Sequence, residues 1–237
     1  MAKGKFIALA AGAMMAAAAG AFAAPGAEPA GDETFEGSFS CLRPSSSSDR
    51  SPILCQSQIN PGLPVLDLTI FWQDGGAVGR RRIERIEIRR SGEAELLQTI
   101  AGIDSPVPDE AENAGLEMLD LNFDGFLDLR VMRAAPAGTN ALYRNWLWSA
   151  EDGIFAASPA LDEIASPEFN AEDQEIVSRW RSGATRGTDV YSYEGAVPVL
   201  IHRETDAEDA HGACVRTFHD RIDDELKKTG TGACEAE

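Results

Sequence analysis

The chain has 237 residues, a formal charge of −18 from 21 Lys and Arg against 39 Asp and Glu, and 43% apolar residues. That is too apolar for a disordered chain, and long enough to bury a full core as one domain or two small ones. The acidic balance excludes a phosphate-neutralising nucleic-acid binder and an anionic membrane surface, and favours a cationic partner.

Residues 1–23 read as a cleaved signal peptide. Lys3 and Lys5 precede an Ala-rich apolar run, and Ala21-Phe22-Ala23 fits the small-x-small cleavage rule, with cutting after Ala23 or Ala24. The run is short and Ala-dominated, has no basic stop-transfer flank and is followed by no Cys, which argues against a membrane or lipid anchor. A periplasmic or secreted product without stable membrane insertion is expected. Processing removes two lysines and no acid, taking the charge from −18 to −20. Residues 24–36, rich in Ala, Pro, Gly and acid, read as a disordered leader. Residues 37–237 are expected to form the folded domain.

Cys41, Cys55, Cys214 and Cys234 are an even set, as an oxidising compartment would use. Three connectivities are open. Local pairing, Cys41–Cys55 and Cys214–Cys234, is favoured because each pair flanks a Ser- or Gly-rich loop. A Cys41–Cys234 bridge between the chain ends is the alternative. Zinc is disfavoured: close Cys-x-x-Cys pairs are missing, and no His lies within two residues of a Cys. Ser45 to Ser48 read as a flexible loop inside the first disulfide.

Between the cysteines the chain reads as hairpins. Residues 65–71 are β-rich and end at Asp74-Gly75-Gly76. Residues 82–90 interleave Ile83, Ile86 and Ile88 with charge and stop at Ser91-Gly92; residues 96–100 follow. Leu127, Leu129 and Val131 alternate after Asp124-Gly125, and residues 142–148 run into Asp152-Gly153, with Ile154 and Phe155 beyond. Tyr191 and Tyr193 precede Glu194-Gly195, followed by residues 197–202. Residues 215–222 and 226–229 flank Asp223-Asp224. Short period-2 runs around Gly or Asp turns predict hairpins, and many of them predict an all-β sandwich, barrel or small propeller. Residues 172–181 fit a helix capped by Asn170 or a strand carrying Ile176, Ser178 and Trp180; the β-rich surroundings favour the strand.

One motif carries defined chemistry. Asp120, Asn122, Asp124, Gly125, Phe126 and Asp128 are spaced D-x-N-x-D-G-x-x-D. A hard cation such as Ca²⁺ takes six to eight oxygens, and alternate positions of a curled loop aim theirs inward. Asp120, Asn122 and Asp124 would supply side-chain oxygens, Phe126 a backbone carbonyl, and Asp128 a carboxylate directly or through water. Gly125 sits where the loop must turn sharply. Three carboxylates in nine residues repel one another, so metal binding and loop order are linked. Val131 stands where an EF-hand has its bidentate Glu, and the flanks alternate like strands, so a calcium loop within a β-hairpin is predicted. Mg²⁺, which keeps several waters, suits this cage less.

This loop resembles those of integrin-type FG-GAP propellers. The string downstream extends the likeness: Asn140, Tyr143, Trp146 and Trp148, then Gly153 and Phe155, Pro167, Phe169 and Asn170, Ile176 and Ser178, Gly183 and Ala184, and a closing Tyr-rich hairpin. In that order the chain is similar to a family of exported bacterial calcium-binding β-propeller-like proteins. The likeness covers residues 116–203 well and the hairpins from Val65 onward loosely. It implies a small single-domain β-propeller-like array of hairpins. The family includes periplasmic inhibitors of lysozyme-like effectors delivered by type IV secretion systems. The resemblance therefore implies an inhibitor or immunity protein binding a cationic lysozyme-like peptidoglycan hydrolase, not an enzyme. The alternative is a calcium-stabilised adhesion or scaffold module of the cell envelope.

Other residues carry less. Arg80, Arg81, Arg82, Arg85, Arg89 and Arg90 read as solvated strand faces with acid partners such as Glu84 and Glu87, rather than a docking patch. Trp72, Trp146, Trp148 and Trp180 read as core or face anchors. His202, His211 and His219 lack a nucleophile elbow or zinc-helix motif around them.

Overall fold

Alternation of apolar and polar residues, broken by turn residues, folds this chain into antiparallel meanders. The computed structural model describes residues 37–42, 51–74, 81–106, 115–134 and 140–234, all within the compact unit Phe35–Glu237. The expected signal peptide, the leader, the Ser45 to Ser48 loop, the Gly75-Gly76 turn and Arg80 lie outside the described residues.

The first sheet is a five-stranded meander in chain order: β1 (Phe39–Leu42), β2 (Ile53–Ser57), β3 (Leu66–Asp74), β4 (Arg81–Arg90) and β5 (Gln98–Pro106). On β4, Ile83, Ile86 and Ile88 are all buried although the first step is three residues. A bulge absorbs the extra residue: Trp72 pairs with Ile83 and Phe71 with Arg85, leaving Glu84 unmatched. Cys41 and Cys55 face each other across β1 and β2 and are bonded.

The second sheet holds β6 (Leu116–Leu119), β7 (Asp128–Ala134), β8 (Leu142–Ser149) and β9 (Ile154–Ala157). One apolar core joins the first two sheets, with Ile53, Leu68, Ile70, Ile86 and Ile88 from one and Leu116, Leu129, Val131, Trp146 and Trp148 from the other.

A short helix, α1 (Pro159–Asp162), leads into the third sheet: β10 (Pro167–Asn170), β11 (Glu175–Ser182), β12 (Thr185–Glu194), β13 (Val197–Glu208), β14 (Cys214–Ile222) and β15 (Glu225–Ala233). β11 answers the helix-or-strand ambiguity as a strand. A second, smaller core of Leu121, Leu161, Ile164 and Ile176 packs with Phe123, Phe169, Tyr191 and Tyr193. Beyond it the apolar material runs out: no hydrophobic residue of β13, β14 or β15 is buried. Ion pairs take over. Arg203 forks onto the buried Asp189 at 2.7 and 2.6 Å, and the buried Asp206 is bonded by Arg216 at 2.7 and 2.9 Å and by Arg186 at 3.1 Å. The β14–β15 turn has positive φ at both Asp223 (53°) and Asp224 (64°), as a two-residue hairpin of type I′ requires. Cys214–Cys234 closes the other end of that hairpin.

The fold is therefore all-β, in three antiparallel meanders, and none closes into a barrel among the described residues. All four cysteines form the two local disulfides, so neither the end-to-end bridge nor a cysteine zinc site is present. No helix among the described residues is long and apolar enough to cross a membrane.

Candidate metal-binding loop

Leu119 and Asp128 are the last register pair of the β6–β7 hairpin, so the D-x-N-x-D-G-x-x-D segment is the loop that closes it. The loop is curled by its own side chains. Asp120 accepts the backbone N–H groups of Asp124 (Oδ1, 3.1 Å) and Gly125 (Oδ2, 2.9 Å). Asp124 accepts from the Phe126 N–H at 2.9 Å and from the Asn122 amide at 2.8 Å. Gly125 adopts φ 82°, which a β-carbon would resist, and Phe123 also sits at positive φ, 62°.

Four apolar residues peg the loop between the two cores. Leu121 and Phe123 belong to the smaller one, where Phe123 meets Tyr193 edge-on at 6.1 Å; Phe126 and Leu127 pack on the larger one. Polar clamps add to this. The Tyr193 hydroxyl donates to the Leu121 carbonyl at 2.9 Å, the Asn60 amide donates to the Gly125 carbonyl at 3.0 Å, and the Leu127 N–H reaches the Ile59 carbonyl at 2.8 Å.

Asp128 differs from its neighbours. It is fully buried, and its carboxylate accepts the N–H of Trp148 (Oδ1, 2.7 Å) and of Leu121 (Oδ2, 2.8 Å). Burial pushes its pKa up to about 8, with the Asp124 and Asp120 charges adding to the effect and the two amide bonds opposing it. Burial, reinforced by the same three carboxylates, also holds the Tyr193 phenol well above its usual range, so it remains a donor.

All five expected ligand positions, Asp120, Asn122, Asp124, Phe126 and Asp128, thus fall in one ordered loop. Their carboxylates are turned to backbone amides, and among the described residues no group of three or more His, Cys, Asp or Glu forms a metal-holding cluster. The residues nonetheless fit a hard cation. Asn122 Oδ1 is buried with no hydrogen-bond donor, an acceptor with nothing to accept. Each ionised carboxylate offers about four lone-pair sites, so two N–H bonds leave room for an ion. Asn60, Trp148 and Tyr193 escape motif reading because they reach the loop from other hairpins. Asn60 alone carries a local signal, in an Asn-Pro-Gly turn where its Oδ1 accepts the Gly62 N–H at 2.9 Å.

The other candidates behave as structural residues. Arg82 pairs with Asp104 of β5, Arg85 with Glu87 at 3.1 Å, and Arg89 with Glu87 at 2.9 Å. Glu84 and Glu87 lie on the same strand as the arginines rather than across from them. Arg85 also stacks over Phe71 at 3.7 Å and Arg81 over Trp72 at 4.4 Å. Trp146 and Trp148 are buried, while Trp72 and Trp180 are half-buried with enclosed, unpartnered indole N–H groups. His202 lies 2.6 Å from Asp220 on β14 and 3.5 Å from Glu204.

Comparison with known proteins places the fold. No family model matches the chain, and no curated protein sequence matches it. A solved structure described as a Xanthomonas type IV secretion system related protein superposes with a TM-score of 0.56 at 16% identity, covering 80% of this chain and 98% of that one. A Bacteroides fragilis protein of unknown function reaches a TM-score of 0.25 at 7% identity, covering 70% and 91%, an overlap too weak to argue from.

Proposed function

We propose that this chain is an exported calcium-binding protein that binds and inhibits a lysozyme-like peptidoglycan hydrolase. The observation that carries the metal half is Asn122 Oδ1, a buried acceptor without a donor inside a loop of three carboxylates. Asp120, Asn122, Asp124, the Phe126 carbonyl and Asp128 would hold the ion. A bound Ca²⁺ would supply positive charge to a site that otherwise confines three acids, and keep Asp128 ionised despite its burial.

Two things support the inhibitor half. The fold is shared with a protein described as related to a type IV secretion system, the context that the loop's family resemblance implies. The net charge of −18 suits fast, salt-dependent association with a cationic hydrolase. The chain's role is then to present a rigid surface beside the loop, because a preordered hairpin loses less entropy on docking. In this reading the three consecutive meanders are the units of a propeller-like array, the product is periplasmic, and it has no catalysis of its own. A calcium-stabilised envelope scaffold is the second reading, favoured by the way Asp128 ties its own loop to β8.

Titration of a lysozyme-type muramidase with the purified protein tests the proposal. Hydrolysis should fall at micromolar protein in calcium and recover in chelator. Undiminished hydrolysis in both conditions would remove the inhibitor reading for that target. A calcium-dependent rise in melting temperature without inhibition would leave the scaffold reading.

A further inference from the structure

The charged end of the third sheet gathers arginines in a recess apart from the acidic loop. On β11 and β12, Arg181 and Arg186 are direct register partners, so two guanidiniums leave the same face side by side. Like charges placed opposite each other across a sheet are destabilising. The backbone makes the approach closer still. Arg181 donates its N–H to the Asn140 side chain at 2.9 Å and accepts from the Asn140 amide at 2.9 Å, so its peptide groups point away from β12. The Arg181/Arg186 pair is then of the non-hydrogen-bonded kind, in which Cα atoms stand about 4.5 Å apart. The Arg181 side chain is exposed and has no ion-pair partner among the described residues.

These two arginines open onto a recess of about 340 Å³. Arg179 and Arg216 also line it, and among the described residues the acids that face them there are Glu204 and Asp206. Asp206 is committed: both of its oxygens already accept from Arg216 and one also from Arg186. It acts as a brace that holds those guanidiniums in place. Arg179 is paired outward with Glu168. A protein of charge −18 therefore builds a walled, arginine-rich recess and leaves one guanidinium in it unmatched. Departures from local rules of this kind mark functional sites.

We propose that this recess binds a small ligand carrying a carboxylate or phosphate group, held between Arg181 and Arg186 across the β11–β12 seam. The planar fork of arginine matches both oxyanions bidentately, and the ligand's charge would relieve the like-charge pair.

Calorimetric titration of the full chain with citrate and, separately, with inorganic phosphate distinguishes the two sources. Binding of at least one anion, weakened by raised salt and weakened about tenfold or more by Arg181→Gln, is expected. A second variant guards against trivial loss of fold. Arg181→Glu replaces the like-charge pair with an ion pair, and should raise the anion-free melting temperature by about 1–3 °C while abolishing the anion-induced shift. Failure of wild-type protein to bind either anion, equal binding by wild type and Arg181→Gln, or a lower melting temperature for Arg181→Glu would each overturn the proposal.

Discussion

Asp128 Oδ1 accepts the backbone N–H of Trp148 at 2.7 Å, tying the last residue of the acidic loop to the C-terminal end of β8. With the Leu121 N–H on Oδ2, one buried carboxylate satisfies two buried donors. Asp128→Ala leaves both unsatisfied and should cost about 2–6 kcal/mol of stability, at roughly 1–3 per buried group. Asp128→Asn keeps one accepting oxygen and should cost about half as much. Urea unfolding in chelator measures this apart from any metal effect. A loss under about 1 kcal/mol for Asp128→Ala would show that water replaces the carboxylate.

Calcium at a hundred times its dissociation constant should stabilise the native chain by about 2.7 kcal/mol, or roughly 5–10 °C in melting temperature. Asp124→Ala and Asn122→Ala should both blunt that shift. In chelator the Asn122→Ala protein should lose only about 1 kcal/mol, for the bond its amide donates to Asp124, because the oxygen removed has no donor to lose. Equal calcium shifts in wild type and both variants would place the ion elsewhere.

His202 lies 2.6 Å from Asp220 and 3.5 Å from Glu204. The hydrogen bond to Asp220, helped by Glu204 and opposed by burial, raises its pKa above the ordinary histidine value. A raised folded-state pKa means that the folded chain holds the proton more tightly than the unfolded one. The resulting stability is complete below about pH 6.5 and disappears as pH rises through the folded value. The melting temperature of wild type minus that of His202→Gln should therefore be largest near about pH 5.5 and shrink toward pH 9. A difference that grew with pH would contradict the pairing.

The Cys214–Cys234 bridge spans 20 residues of a hairpin with no buried apolar side chain, whereas Cys41–Cys55 spans 14 next to the main core. Loop-closure entropy predicts about 3 kcal/mol for each. The consequences should differ in reach. The Cys214→Ser, Cys234→Ser protein should lose amide protection in β14 and β15 while β3 and β4 keep theirs, as hydrogen exchange would read out. Uniform loss across all sheets would mean that the third sheet unfolds with the rest.

Much of the strand content was legible in the chain. Residues 82–90, 142–148 and 215–222 alternate strongly, and their strands appear as β4, β8 and β14. The shorter strands β1, β2, β6 and β10 were not legible. Four or five residues carry too few alternations, and their pairing comes from neighbours rather than from their own pattern. The bulge at Glu84 was present in the Ile83, Ile86, Ile88 spacing but meaningful only once Phe71 and Trp72 were known to lie opposite.

The acidic loop divides the same way. Its acidic spacing, its turn glycine and the two local disulfides involve residues close together in the chain, because turn geometry and short-loop closure are local. The sequence by itself therefore indicated most of the element types, the acidic spacing of the loop and a preference for local cysteine pairing. Only the tertiary structure decided that Asp128 is buried against Trp148, 20 residues away, that Tyr193 braces Leu121 from 72 residues away, and that Arg181 faces Arg186. In a sheet each side chain's electrostatic surroundings come from adjacent strands, and strand adjacency is settled by competition for a shared core. Burial and charge pairing, which set what these groups can bind, emerge only after that competition is resolved.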